Sequence, residues 1–201
     1  MIDNLVFVKS FSLPPVDRRE TLRYAGVREE IPEITSLLDS CIVEVDGRLS
    51  AKVCYREYEL STLDAYLDLG FARTDSRALR KALDGCKKII LFCATVGVDM
   101  DRLIARYSIA SPSRSVMLQA IGTERVETLC DEFCKQIKEE KISFGQSVTK
   151  RFSPGYSDLP LALQRDIFSA LNPEARIGVV LNESLIMTPS KSVTAIIGIK
   201  M

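Results

Sequence analysis

The pattern of apolar and polar residues in the first forty positions predicts one strand followed by two short helices. Residues 1–13 contain an apolar run typical of a strand, and a pair of prolines ends it. Residues 16–26 are typical of a short helix that ends at a glycine, and a proline begins a second helix over residues 32–40. Prolines and glycines therefore mark the predicted boundaries of these elements.

A β-hairpin is predicted over residues 41–60. Apolar and polar side chains alternate on both sides of Asp46 and Gly47. An Asp-Gly pair between two alternating segments is the strongest short-range signal for a hairpin. We therefore expect two antiparallel strands here, joined by a tight turn at these two residues.

The middle of the chain predicts a helix, a strand and a further helix. Asp75 or Ser76 caps the first helix, whose apolar residues have helical spacing, and Gly85 ends it. Residues 87–107 then contain a continuous apolar run, a turn at Gly97 and an amphipathic helix. This succession of strand, loop and helix is typical of an α/β layer.

The last ninety residues predict two more helices and two strands. Residues 112–141 form the longest helix candidate, in which Gly122 either bends the helix or divides it. Residues 159–171 predict another helix, which ends before an Asn-Pro pair. Residues 175–201 predict two strands joined by a turn at residues 187–189.

Composition indicates one globular domain over residues 1–201, without repeats or linkers. The 201 residues are 46% hydrophobic, which suits a chain that buries a core. Lysine plus arginine and aspartate plus glutamate number 27 each, so nucleic acid and anionic membranes are not expected partners. No apolar run reaches membrane-helix length, no secretory leader is recognisable and no CxxC occurs, so we expect a cytoplasmic protein.

The chain contains no histidine, which restricts its chemistry. Neither a Ser-His nor a Cys-His nucleophile pair can form, and the commonest metal ligand is missing. Cys130 and Cys134 have the i, i+4 spacing of two metal ligands, but no second pair completes a coordination set. We therefore expect core cysteines and no metal site.

The segment RFSPGYSDLP, residues 151–160, is the first candidate binding motif. Pro154 fixes its own φ and Gly155 admits positive φ, so a tight turn displays Arg151 and Tyr156 from one loop. A guanidinium can bind a carboxylate through two parallel hydrogen bonds. The alternative is a surface arginine that precedes an ordinary turn.

Two acidic positions extend the candidate site. Glu127 lies near the same face of the long helix as Asp131 and Cys134, where a carboxylate either meets a cation in a cleft or stays solvated. Glu183 and Ser184 lie between a strand and a proline turn. Their side chains either meet the Arg151 loop or satisfy local main-chain donors.

Two motifs in this order resemble a known family. RFSPGYSDLP, followed later by GVVLNESLIMTPSKSV, is similar to the activation domain of cobalamin-dependent methionine synthase. That family has an Arg-x-x-Pro-Gly-Tyr loop followed by Leu-Thr-Glu-Ser-x-x-Met-x-Pro-x-x-Ser-Val. The resemblance covers residues 112–200 and implies a twisted, largely antiparallel sheet flanked by helices.

The resemblance also implies a binding site for S-adenosylmethionine. Arg151 would hold the carboxylate of the methionine moiety, and Pro154 and Gly155 would let the main chain approach the ligand. Tyr156 would line the side that faces cobalamin, which a partner protein carries. Glu127 matches an acidic residue of the family, and a carboxylate near a cationic sulfonium is chemically reasonable.

The implied function is reductive reactivation of cobalamin-dependent methionine synthase, or of a related corrinoid protein, with a flavodoxin-type electron donor.

The family's aromatic pair near the last strand falls at Ile197 and Gly198 in this chain. One alternative is a non-catalytic docking or chaperone module that has lost the ligand. An ordinary methyltransferase with its own acceptor is weaker, because the Gly-rich nucleotide loop is missing.

Overall fold

The computed structural model describes residues 5–201 as a central sheet with helices on both faces. In chain order, the elements are β1 (Phe7–Ser10), α1 (Arg18–Tyr24), α2 (Pro32–Val45), β2 (Lys52–Glu59), β3 (Ser61–Thr62), β4 (Leu67–Asp68), β5 (Arg73–Thr74), α3 (Arg77–Ala82), β6 (Cys86–Thr95), α4 (Val98–Ala110), α5 (Pro112–Ile142), β7 (Ser147–Val148), α6 (Gln164–Leu171), α7 (Pro173–Ile177), β8 (Val180–Leu181), β9 (Met187–Thr188) and β10 (Ser192–Lys200). The first four residues of the strand predicted over residues 1–13 lie outside the described part.

The central sheet has the strand order β1-β2-β6-β10-β7, and every neighbouring pair is antiparallel. The long strands β6 and β10 pair over most of their length, from Ser192 opposite Thr95 to Lys200 opposite Cys86. Two small sheets, β3-β4-β5 and β8-β9, lie outside it. The predicted antiparallel sheet flanked by helices is therefore confirmed, and β6 does not belong to a parallel α/β layer.

The sequence of strand β6 is a nearly continuous apolar run, because both faces of the strand are buried. Alternate side chains of a strand point to opposite faces. One set joins a core with helices α1, α2, α4 and α5, and the other joins a core with α3, α6 and α7. The first set is Ile90, Phe92 and Ala94, and the second is Ile89, Leu91 and Cys93.

Helix α5 continues through Gly122 without a break. A Cβ atom at this position would lie 2.8 Å from Cγ of Met100 and 3.0 Å from side-chain carbons of Lys191. The glycine therefore allows α4 and the start of β10 to approach the helix closely. Of the two predicted outcomes at Gly122, a bend or a division, the division is excluded.

The β-hairpin predicted over residues 41–60 is wrong. Helix α2 runs to Val45 instead of ending near residue 40, and only the later part of the segment forms a strand, β2. Leu38, Cys41 and Val45 recur at helical spacing and are 0%, 0% and 3% exposed. Burial of this helical face outweighs the alternating pattern, because tertiary packing overrides local strand propensity.

The Asp-Gly pair ends a helix rather than joining two strands. Asp46 donates its main-chain N–H to the carbonyl of Ile42 at 3.0 Å, and Gly47 follows with a φ of +69°. Glycine with positive φ is a common residue just after a helix. The same two residues therefore serve a different kind of turn.

The end of the chain also differs from the sequence prediction. Helix α7 was not predicted, and it begins where Asn172 accepts a hydrogen bond from the N–H of Ala175 at 3.5 Å. The first predicted strand is reduced to the two residues of β8, which pair with β9. The second predicted strand is β10. The helix predicted over residues 159–171 is confirmed in its later part as α6, and a 3-10 turn at Leu161–Leu163 precedes it.

A buried ion pair fastens the N-terminal segment to α5. Glu124 and Arg125 have side chains that are 3% and 5% exposed, and Arg125 Nε lies 2.5 Å from Glu124 Oε2. Arg125 also donates to the carbonyls of Pro14 and Pro15, at 2.6 and 3.2 Å. Glu124 in turn accepts from the N–H of Asp17 at 3.3 Å. Hydrogen bonds of both charged side chains therefore hold the N-terminal segment against α5.

Asp158 links the loop after β7 to helix α3. Its carboxylate accepts hydrogen bonds from the Ser76 hydroxyl at 2.5 Å and from the main-chain N–H groups of Arg77 and Ala78 at 2.8 and 3.2 Å. Ser76, one of the two predicted caps, itself accepts from the N–H of Leu79 at 3.1 Å. The hydroxyl and the two N–H groups lower the pKa of Asp158 below its ordinary value.

All six cysteines are free thiols, and five of them are buried. Within residues 5–201, no helix is both long and apolar enough to cross a membrane.

We expect Arg125→Met to lower the free energy of unfolding by about 3 kcal/mol, because it leaves the Glu124 carboxylate buried without its cation. Urea unfolding followed by circular dichroism measures the change. Lys135→Met, at an exposed site of the same helix, is the control and should shift it by less than about 0.5 kcal/mol. Equal unfolding midpoints for wild type and Arg125→Met would contradict a stabilising role of the pair.

We expect Asp158→Asn to lower the melting temperature at pH 7. Because the pKa of Asp158 is lower in the folded than in the unfolded chain, its stabilisation is present above about pH 4 and disappears as the pH falls further. Thermal melts of both proteins between pH 7 and pH 3 should therefore converge at the acid end. Asp64→Asn, at an exposed carboxylate, is the control, and a constant difference at every pH would contradict the role of the ionised carboxylate.

Candidate functional site

An open groove of about 600 Å³ runs along the free edge of β10. Its walls come from α5, the loop after β7, the start of α6 and the first residues of β10. A groove of this size is within the usual range for a small-molecule site. It includes Glu127, Arg151, Pro154 and Tyr156 from the predicted set, whereas Gly155 lies just beside it.

The edge of β10 is free here because the neighbouring segment leaves the sheet at a proline. Phe152 and Ile196 exchange two main-chain hydrogen bonds of 2.8 and 2.9 Å. Two residues further along the antiparallel register, Pro154 faces Thr194, and a proline has no N–H to continue the ladder. Among the described residues, the N–H and C=O of Thr194 have no partner at this edge. The groove therefore exposes main-chain hydrogen-bonding groups.

The Pro-Gly turn holds the loop in place. Pro154 is buried, Gly155 has a φ of +85°, and the N–H of Tyr156 donates to the carbonyl of Ser153 at 3.2 Å. This is the arrangement of a type II turn, which requires positive φ at its third residue. A Cβ on Gly155 would also lie 3.2 Å from Cδ1 of Leu161. The predicted tight turn is confirmed, and it displays Arg151 and Tyr156 on one loop.

Arg151 lies between two carboxylates of α5. Its Nη2 is 2.5 Å from Oε2 of Glu127 and 3.3 Å from Oδ1 of Asp131, and its side chain is 24% exposed. Burial opposes the charged guanidinium, but Cys130, Glu127 and Asp131 outweigh this effect and raise the pKa of Arg151. The structure therefore brings together Arg151 and Glu127, which are 24 positions apart in sequence.

This arrangement presents both signs of charge at the edge of the groove. A guanidinium can bind a carboxylate, and a carboxylate can bind an ammonium or sulfonium group. Because Arg151 touches both Glu127 and Asp131, its charge is balanced when nothing else is bound. The cluster is suited to a zwitterionic group such as an α-amino acid.

Tyr156 lies at the rim of the groove. Its side chain is 68% exposed and makes an edge contact with Phe152, with 5.5 Å between ring centroids. It is therefore placed to contact both a bound ligand and a molecule that approaches from solution.

Glu183 and Ser184 lie outside the groove. Both are exposed in the turn between β8 and β9, and the carbonyl of Glu183 accepts a hydrogen bond from Arg165 at 3.4 Å. Met187 is the residue of this segment that lines the groove. The structure therefore does not bring the side chains of Glu183 and Ser184 to Arg151.

The positions that correspond to the family's aromatic pair do not reach the groove. Ile197 is 1% exposed and belongs to the core against α5. A Cβ on Gly198 would lie 2.5 Å from Sγ of Cys86 and 2.7 Å from Cδ2 of Leu83. A side chain at Gly198 would collide with both, so this chain has no room for an aromatic residue there.

The sequence analysis gave no role to four polar residues that line the groove, namely Ser153, Gln164, Ser192 and Thr194. Ser192 and Thr194 are polar residues at alternate positions of an otherwise apolar strand, which is a detectable signal. Gln164 is the first residue of α6 and is only 6% exposed, and no sequence pattern indicated that burial.

Burial raises the pKa of the two thiols near Arg151, that of Cys130 to about 12 and that of Cys134 to about 11. A protonated thiol is a poor nucleophile and a poor metal ligand. Across residues 5–201, no group of histidine, cysteine or acidic side chains is arranged to hold a metal ion.

Comparisons with known proteins identify the family and the fold. The sequence matches the family described as vitamin B12 dependent methionine synthase, activation domain, over residues 79–200. The fold resembles the crystal structure of the MetH reactivation domain bound to AdoHcy, with a TM-score of 0.71 and 15% sequence identity. The match covers 98% of this chain and 79% of that chain. No curated protein matches the sequence. Because the matched family spans more than half of its residues, this chain belongs to the vitamin B12 dependent methionine synthase activation domain family.

Proposed function

We propose that this chain binds S-adenosylmethionine in the groove and presents its methyl group to cobalamin carried by a partner protein. The partner is cobalamin-dependent methionine synthase or a related corrinoid protein, and the process is its reductive reactivation. The observation that carries this proposal is the position of Arg151 between Glu127 and Asp131, beside the free edge of β10.

The charged cluster fits the amino-acid end of the ligand. Arg151 binds the carboxylate of the methionine moiety through paired hydrogen bonds, and Glu127 lies close to the ammonium or the sulfonium. Pro154 opens the edge of β10, and Gly155 keeps the loop turned so that the main chain stays close to the ligand. Glu183 and Ser184 support the β8–β9 turn without touching the ligand.

The chain acts by binding and orientation. Cobalamin held by the partner would supply the methyl acceptor, and the groove would hold S-adenosylmethionine before the carbon–sulfur bond breaks and S-adenosylhomocysteine afterwards. The groove holds the sulfonium in place and keeps the methyl group accessible. This role needs no nucleophile or base from the chain, which suits a sequence without histidine and with protonated thiols near Arg151.

Tyr156 faces the cobalamin side in this proposal, since its ring lies at the rim and is 68% exposed. The electron that restores the reduced state of cobalamin would come from a flavodoxin-type donor. Six free thiols suit a reducing cytoplasmic compartment.

We expect Arg151→Ala to weaken S-adenosylmethionine binding by about 100-fold, because it removes a charge-assisted contact to the ligand carboxylate. Isothermal titration calorimetry of the purified chain measures the affinity. Arg165→Ala, an exposed arginine outside the groove, is the matched control and should bind like wild type.

Two outcomes would contradict the proposed function. If Arg151→Ala binds as tightly as wild type, the ligand lies elsewhere. If wild type does not bind S-adenosylmethionine at all, a docking or chaperone module for a corrinoid protein becomes the better description of the chain.

A further inference from the structure

Two buried side-chain oxygen atoms in the wall of the groove lack hydrogen-bond partners among the described residues. Gln164 and Thr194 are 6% and 2% exposed, and both line the groove. Gln164 Oε1 and Thr194 Oγ1 are buried atoms without a partner among residues 5–201. The groove wall therefore contains hydrogen-bonding capacity that the described chain does not use.

Buried polar atoms of this kind lower the stability of the fold unless a ligand or a water molecule forms the hydrogen bond. A buried polar atom without a partner destabilises a fold, and an apolar side chain of similar shape would avoid this cost. Gln136 Oε1 is also buried and unpaired, but Gln136 lies on α5 outside this groove. The position of Gln164 and Thr194 in the groove, and not the missing partner alone, is what points to a ligand.

The two residues make one side of the groove neutral and polar. Gln164 begins α6, and Thr194 lies on β10, where its main-chain N–H and C=O also face the free edge. The charged groove residue Glu127 comes from α5, which packs on the opposite face of the sheet from α6. The groove therefore changes from an ionic wall at α5 to a neutral hydrogen-bonding wall at α6.

We propose that Gln164, supported by Thr194, is the residue that recognises the adenine of the ligand. This inference rests on the proposed function. A glutamine amide offers one acceptor and one donor, which match the exocyclic amine and the adjacent ring nitrogen of adenine. Rotation about the last side-chain bond of Gln164, whose torsion is broad, turns either end of the amide into the groove. The unpaired Oε1 then accepts from the exocyclic amine.

The adenine preference of wild type and variants tests this assignment. The probes are 5′-methylthioadenosine and 5′-methylthioinosine, which share the ribose and thioether but differ at the exocyclic amine. Wild type should bind the adenine compound about tenfold more tightly, and Gln164→Leu should bind both compounds alike. Arg151→Ala should keep the preference, since neither probe has a carboxylate.

Three further measurements test whether Gln164→Leu acts only by disturbing the fold. Gln164→Leu should melt at or above the wild-type temperature, because it removes an unpaired buried polar group. Thr194→Val, a substitution of matched shape, should weaken binding of the adenine compound by a few-fold. Gln136→Leu is the control for removal of a buried unpaired amide and should leave both affinities unchanged.

The outcomes separate this inference from the proposed function. If wild type binds S-adenosylmethionine but Gln164→Leu keeps the adenine preference, the assignment of Gln164 is overturned and the proposed function stands. If wild type prefers neither probe, the assignment is also overturned. If wild type binds neither the probes nor S-adenosylmethionine, both proposals fail.

Discussion

The site exists because Pro154 has no main-chain N–H and cannot extend the hydrogen-bond ladder along β10. The segment after β7 pairs with β10 as far as Phe152, and Pro154 cannot continue the ladder. The edge of β10 at Thr194 is therefore left open to a ligand instead of being covered by another strand. The turn at Gly155 then carries the loop across the opening, and Asp158 fastens it to α3.

Charge is concentrated on one wall of this opening. Arg151 meets Glu127 and Asp131 of α5, and the same helix holds the N-terminal segment through Glu124 and Arg125. The family membership and the fold likeness to the MetH reactivation domain are independent of these contacts. They show the family to which the chain belongs and the fold that it has.

The sequence predicted the elements whose signals are local. The turn at Pro154 and Gly155 and the cap at Ser76 were predicted correctly, because they depend on the conformational limits of single residues. The hairpin at Asp46 and Gly47 was wrong, because helical packing of the preceding residues outweighed an alternating pattern. Local signals therefore located turns reliably but did not determine which elements each turn joins.

Only part of the candidate site was predicted from sequence, because local motifs identify residues but do not show how helices pack on the sheet. Arg151 and Glu127 were identified from a motif and a helix face, but their ion pair depends on the placement of α5 against the sheet. Gln164 was missed, because its burial arises from packing between α6 and β10. Glu183 and Ser184 share a motif with Met187, yet only Met187 reaches the groove.

The exposed rim of the groove at Tyr156 affects how a molecule in the groove is reached from solution. A molecule that lies in an open groove along a sheet edge keeps one side in contact with water. A second protein can reach the outward side of that molecule while the groove holds its inward side.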